Sequence, residues 1–190
     1  IMVVNSVPSS GRVPGQSSIM MLDGWTWEDA TLKHPAALNI NWPRMYFDYG
    51  KNTKKNEKKQ RDEYDEKIRE LNKLILNVRA YHHRKNAKER KAENKQQSDL
   101  RLEAMIPFII YSEPIHIKAN DIRQIEAAVK WAREENLNIV IVGGRDSWIN
   151  PKLLVDNNVP IILLGVQVGP RRRFEPIHTP YKLPAILHEA

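Results

Sequence analysis

Three apolar runs in the second half of the chain each give way to polar side chains. Pro114-Ile-His-Ile-Lys118 leads into Asn120 and Asp121, Asn138 to Val142 leads into Gly143-Gly-Arg145-Asp146, and Pro160 to Leu164 leads into Gly165 and Gln167. In α/β proteins, pockets form where parallel strands end. Lys118, Asn120, Asp121, Arg145, Asp146 and Gln167 are therefore the residues expected to line one. A lysine in such a place could orient a substrate or act through a lowered pKa. Asp121 and Asp146 carry a plainer alternative, because both stand where a carboxylate caps the next helix.

The elements that must position these residues read as strand, helix, strand, helix, strand from Glu113 to Gln167. Asp121 to Glu135 has Ile122, Ile125, Val129 and Ala132 at three- or four-residue steps, the spacing of an amphipathic helix, with Asn120 or Asp121 at its cap. Asn150 caps a second helix with Pro151 at its first position, running to Asp156. The strands are apolar without alternation, which predicts burial on both faces and hence a parallel sheet. The strand-to-strand step is about 20 to 25 residues, as in consecutive βα units. No Gly-x-Gly-x-x-Gly or Walker pattern follows any strand, which disfavours a nucleotide-binding doubly wound sheet.

Upstream, Ile1 to Val4 and Ser18 to Leu22 read as two strands about a turn-rich loop holding Pro8, Gly11, Pro14 and Gly15. Ile1-Met-Val-Val4 has the look of mid-strand, which places the parent's N-terminus further upstream. Thr26 can cap a helix with Glu28 and Asp29 in its first turn, and Pro35 is expected to end or kink it. Ala36 to Pro43 follows as an extended apolar segment. Trp25, Trp27 and Trp42 either wall a pocket or pack a loop onto the core.

Between Lys51 and about Ser98 the composition changes: Gly and Pro vanish, and Lys and Arg outnumber Asp and Glu. The stripe Ile68, Leu71, Leu74, Ile75, Val78 predicts a long helix or helical hairpin. The formal net charge of +7 sits largely in this segment. Mixed charges of this kind are usually a solvated face, so nucleic acid is disfavoured as a partner. His82 and His83 are adjacent and cannot converge on one metal from a helix. There is no cysteine, hence no thiolate chemistry, and no apolar run long enough to span a membrane. Ser98-Asp99 caps a further helix through Leu100, Leu102, Met105 and Ile106. The chain divides as 1–50 (barrel strands and a Trp-rich loop or helix), 51–98 (charged helical insert) and 99–190 (consecutive βα units).

Four segments carry a family resemblance: Pro14 to Ser17 through Leu22 to Asp29; Pro35 to Leu38 with Trp42-Pro43; Ile139 to Asp146 with Trp148; and Pro170 to Pro176 through Pro180-Tyr181, Leu183-Pro184 and Leu187 to Ala190. In that order they resemble the central part of bacterial metal-dependent hydrolases of the amidohydrolase superfamily, in the branch similar to imidazolonepropionase-like proteins. The resemblance implies a partial (β/α)8 TIM-type barrel with the charged segment as an insert, and hydrolysis of an amide or cyclic amide C–N bond. It implies a divalent metal (Zn or similar) in the parent, a small-molecule substrate, and further barrel segments or a second chain to close the sheet. It leaves the location between bacterial cytoplasm and periplasm. Under it, Lys118 and Asp146 are the candidate catalytic residues, and Gln16, Asn120, Asp121, Arg145 and Gln167 the substrate-binding ones.

The chain departs from that family's pattern. No His-x-His motif is present, and the family's terminal catalytic Asp would lie beyond Ala190. Where members place a metal-binding histidine this chain has Lys118. His116, one layer deeper on the same strand face, is either a metal ligand by a register shift or a core histidine. Two further readings stand beside the hydrolase: a barrel that binds a ligand without hydrolysing it, and a basic helical interaction module using residues 51–98.

Overall fold

The computed structural model describes residues 2–45, 57–89, 98–170 and 172–190, in two compact units, Ile1–Trp42 with Pro114–Ala190 and Pro43–Glu113. The first unit is α/β. Its six strands form a single curled sheet in sequence order, β1 (Val3–Ser6), β2 (Gly15–Met21), β3 (Thr31–Asn41), β4 (Ile115–Ala119), β5 (Ile139–Gly143) and β6 (Ile161–Ile162). β1, β2 and β3 pair antiparallel, and β3 to β6 pair parallel, which is consistent with part of a barrel. A one-turn helix α1 (Trp27–Ala30) lies between β2 and β3, with Thr26 Oγ1 accepting from the Asp29 N–H at 3.3 Å.

The second unit is helical. Leu71, Ile75, Val78 and Tyr81 are the buried residues of α2 (Glu57–Glu89), at the three- and four-residue steps of one helix face. It packs on α3 (Leu100–Ile109), whose first turn is capped by Asp99 accepting from the N–H groups of Arg101 and Leu102. Lys85 pairs with Glu103, and the His82 ring stands edge-on to Tyr111 at 5.8 Å between centroids. Residues 51–56 and 90–97 of the expected charged segment lie outside the described residues. Among the described residues no helix is long and apolar enough to cross a membrane.

In the first unit the core forms between β4–β5 and α4 (Ile122–Glu134). Ile115, Ile117, Ile139 and Ile141 on the strands, and Ile125, Ala128, Val129 and Ala132 on the helix, are all at most 3% exposed. At about 2 kcal/mol for each fully buried Ile or Val, this layer is a main stabiliser of the unit. Trp42, just past β3, meets Trp131 of α4 edge to face, with centroids 5.4 Å apart. α5 (Pro151–Asp156) follows with Pro151 at its start, and α6 (Thr179–His188) closes the unit.

Several expectations change here. The parallel strands are not buried on both faces: β4 and β5 alternate, with Ile115, Ile117, Ile139 and Ile141 buried, and His116, Lys118, Val140 and Val142 on the more open face. Pro35 ends no helix. It sits inside β3, where the β2–β3 register shifts between Ser17↔Ala37 and Ile19↔Lys33. A residue without an N–H is tolerated at such an irregularity. The final strand is two residues long rather than five, because Ile161 and Ile162 alone find ladder partners on β5. Trp25 and Trp27 neither wall a pocket nor pack a core. They are 100% and 70% exposed, and Trp42 alone of the three is buried.

Candidate functional site

Strand pairing builds the open face in rows. Asn39 of β3, His116 of β4 and Val140 of β5 are register partners, and so are Asn41, Lys118, Val142 and Ile162 one step further along. Residues two apart on a strand share a face and are about 6 to 7 Å apart along it. Asn39, Asn41, His116, Lys118, Val142 and Ile162 of these rows, together with Asn5 of β1 and Val7, Pro8 and Ser9 of the β1–β2 loop, enclose a cavity of about 280 Å³ that also touches Leu164. The loop is held by amides rather than by chance contact. Asn41 Nδ2 donates to the carbonyls of Gly11 (2.7 Å) and Ser9 (3.4 Å), Asn39 Nδ2 donates to Gly15 O (3.1 Å), and the Asn41 N–H donates to Arg12 O (2.8 Å).

Charge on this wall is sparse. Lys118 is the one formally charged side chain among the described residues lining the cavity. His116 is half-buried, and that burial lowers its pKa below the ordinary imidazole value, which favours the neutral ring. The wall therefore offers an ammonium donor, an imidazole that when neutral can donate at one nitrogen and accept at the other, and the amides of Asn5, Asn39 and Asn41.

The other sequence candidates lie elsewhere. Asp121 is the N-cap of α4 and forms a capping box with Gln124. Asp146, 1% exposed, accepts from the Ile122 N–H at 3.3 Å and receives both arms of Arg172, at 3.1 Å and 2.5 Å. Arg172 also donates to Glu175 at 2.8 Å and comes within 3.6 Å of Asp121, which Arg123 holds from the other side at 3.1 Å. The hydrogen bond to Asp146 raises the Arg172 pKa against the opposing effect of desolvation, and the charges of Asp146 and Glu175 add to the rise. The knot thus joins the chain after β4, the chain after β5 and the 172–175 turn, and its carboxylates are committed to arginine and backbone.

The side chain of Asn120 covers Gly143, where a Cβ would meet Asn120 Oδ1 at 2.5 Å with φ at +103°. Arg145 and Asp146 line a small hollow of about 20 Å³ beside Trp148, Glu175 and Leu183. Gln167 is exposed in irregular chain, and Gln16 lies on β2 opposite Leu38. Of the predicted residues, then, Lys118 and His116 share one cavity, whereas Asp121 and Asp146 share an ion-pair knot. The sequence reading missed Asn39 and Asn41, which alternate on a strand in the pattern that puts two side chains on one face. It also missed Arg172 and Glu175, whose i, i+3 spacing was the only local sign of their pairing.

The donors on the cavity wall do not fit a divalent metal. Hydrolytic metal sites take three or more histidine, carboxylate or thiolate ligands. This wall has one imidazole, one ammonium and three amides (Asn5, Asn39 and Asn41), and the described residues hold no group of three or more His, Cys, Asp or Glu arranged for a metal.

No family model matches the chain, and no curated protein does. A solved structure does: a crystal structure of an amidohydrolase from Thermotoga maritima MSB8 superimposes with a TM-score of 0.78 at 19% identity, covering 100% of this chain and 48% of that one. The fold is therefore amidohydrolase-like, and this chain spans about half the length of that neighbour.

Proposed function

We propose that this chain forms the substrate-holding wall of an amidohydrolase-like hydrolase acting on the C–N bond of a small amide or cyclic amide. The observation that carries the reading is the pair of rows Asn39–His116 and Asn41–Lys118, which line a cavity on the open face of a sheet shared with a protein named amidohydrolase. The imidazolonepropionase-like branch is the finer form of this reading, and the charged unit between β3 and β4 is then an insert in the barrel order.

The residues present dictate the work this wall can do. The Lys118 ammonium would sit against a carbonyl or carboxylate oxygen and favour charge developing there. Neutral His116, one row deeper, would fix a second polar group through one nitrogen. The loop pinned by Asn39 and Asn41 would exclude water from one side of the cavity. A divalent metal, if the intact protein uses one, needs ligands other than these, and no step here passes through it.

A second reading is favoured by that same donor set: the cavity binds its small molecule without hydrolysing it. Turnover of a panel of small amides and cyclic amides by the intact natural protein, with and without added Zn or Mn, separates the two. The hydrolase reading expects turnover whose kcat/KM drops tenfold or more in Lys118→Met. Binding of the same amides with no turnover under any metal condition would overturn it in favour of the binding protein.

A further inference from the structure

Within the cavity the polar groups are unequal. Asn39 already gives its amide N–H groups to the carbonyls of Gly15 and Ala37, and Asn41 gives its own to those of Ser9 and Gly11, so both amides are engaged as donors within the protein. No described residue lining the cavity is a carboxylate, and Lys118 is the single cation there. Asn5 and Ser9 add uncharged polar groups, and the rest of the lining is mainly apolar, with Val142, Ile162 and Leu164 among the strand residues and Val7 and Pro8 in the loop; Ile162 and Leu164 are still 39% and 63% exposed. A cavity of about 280 Å³ lies near the lower end of the range for small-molecule pockets.

Resting on the reading of this cavity as a ligand pocket, we propose that it takes a small monocarboxylate with an apolar arm, the carboxylate against Lys118 and the arm against Val142, Ile162 and Leu164. A phosphate fits less well. It carries about two negative charges against one ammonium. The nearby backbone donors that often hold phosphate, at the start of α4, are already taken by carboxylates: Ile122 N–H by Asp146 and Arg123 N–H by Asp121. A carboxylate needs only the one charge that the wall supplies, and the apolar arm covers the surface that the strands leave open.

The test is a titration of the full chain with 4-phenylbutanoate and its uncharged isostere 4-phenylbutanamide, followed by NMR at the Val142 and Ile162 methyl groups. The acid is expected to bind at least tenfold more tightly than the amide, and the preference to shrink with added salt. Lys118→Met should weaken the acid to the level of the amide, and Lys118→Arg should keep the preference. Equal binding of acid and amide, or a preference that survives Lys118→Met, overturns the carboxylate assignment and leaves the pocket reading standing. Failure of both probes to move either methyl group overturns the pocket and this inference together.

Discussion

Replacing Arg172 with Met removes the one cation shared by Asp146 and Glu175 and leaves a side chain of similar length. Asp146 is 1% exposed and would keep only the Ile122 N–H at 3.3 Å, while Asp121 would retain Arg123. Three charge-assisted bonds, at 3.1, 2.5 and 2.8 Å, disappear. Taken singly, such bonds contribute about 1.5 to 3 kcal/mol each. Their sum overstates the effect, because the Arg172 side chain is 26% exposed and water replaces part of what is lost. Breaking a buried pair from one side typically destabilises by about 3 to 5 kcal/mol, and the partial exposure places this case near ~3. In urea, with a slope of roughly 2 kcal/mol per molar, the midpoint should fall by about 1.5 M. Tryptophan fluorescence suits the measurement, since Trp25, Trp27, Trp42, Trp131 and Trp148 all belong to the α/β unit. Asp146→Asn in the Arg172→Met background should recover part of the loss, because the orphaned charge is what makes the single change severe. A midpoint shift below about 0.5 M, or full additivity of the two changes, would refute the view that the knot holds the strand-end loops together.

Gly143→Ala should destabilise by about 2 to 3 kcal/mol in the same assay, since φ is +103° and the new Cβ would meet Asn120 Oδ1 at 2.5 Å. His116 has a folded pKa below its unfolded value of about 6.5, so the unfolded state takes the proton first. Stability should therefore be full above about pH 6.5 and fall as the pH drops below it, in a limb that His116→Gln flattens. The groups beside it on the same wall are Lys118 and uncharged Asn39. Asp99→Ala removes the acceptor for the N–H groups of Arg101 and Leu102 and should cost about 1 kcal/mol, seen as loss of far-ultraviolet helical signal from the helical unit at lower denaturant.

The parts of the fold legible in the sequence were those written by local rules. The three- and four-residue steps from Ile122 to Ala132 marked α4 to within a residue, its cap was narrowed to Asn120 or Asp121 and is Asp121, and Pro151 opened α5 where proline is favoured. The stripe from Leu71 to Val78 likewise marked the buried face of α2. What stayed hidden depends on pairing across distance. Arg172 meets Asp146 across 26 residues, and nothing local distinguishes it from Arg173 beside it. Asp146 looked like a pocket residue because it follows a strand, yet its carboxylate is turned to the backbone of α4 and to arginine. Pro35 carried the usual helix-ending signal and was overridden by a register shift with β2. His116 and Lys118 were placed on one face correctly by strand alternation, since that is a property of one strand. That Asn39 and Asn41 join them is a property of the β3–β4 register, which no single segment encodes.

The amides of Asn39 and Asn41 have a consequence for traffic into the cavity. They tether the β1–β2 loop to the strand that pairs with the Lys118 strand, through the carbonyls of Ser9, Gly11 and Gly15. That side of the cavity is a fixed jamb: the loop can swing only if Asn39 and Asn41 give up these side-chain bonds. On the opposite side, at Ile162 and Leu164 past a strand of two residues, no comparable side-chain hydrogen bond occurs among the described residues, and the side chains are exposed. A ligand would come and go by the Leu164 side. Loosening the jamb with Asn41→Ala would open a second way in, raising association and dissociation rates together while changing affinity little.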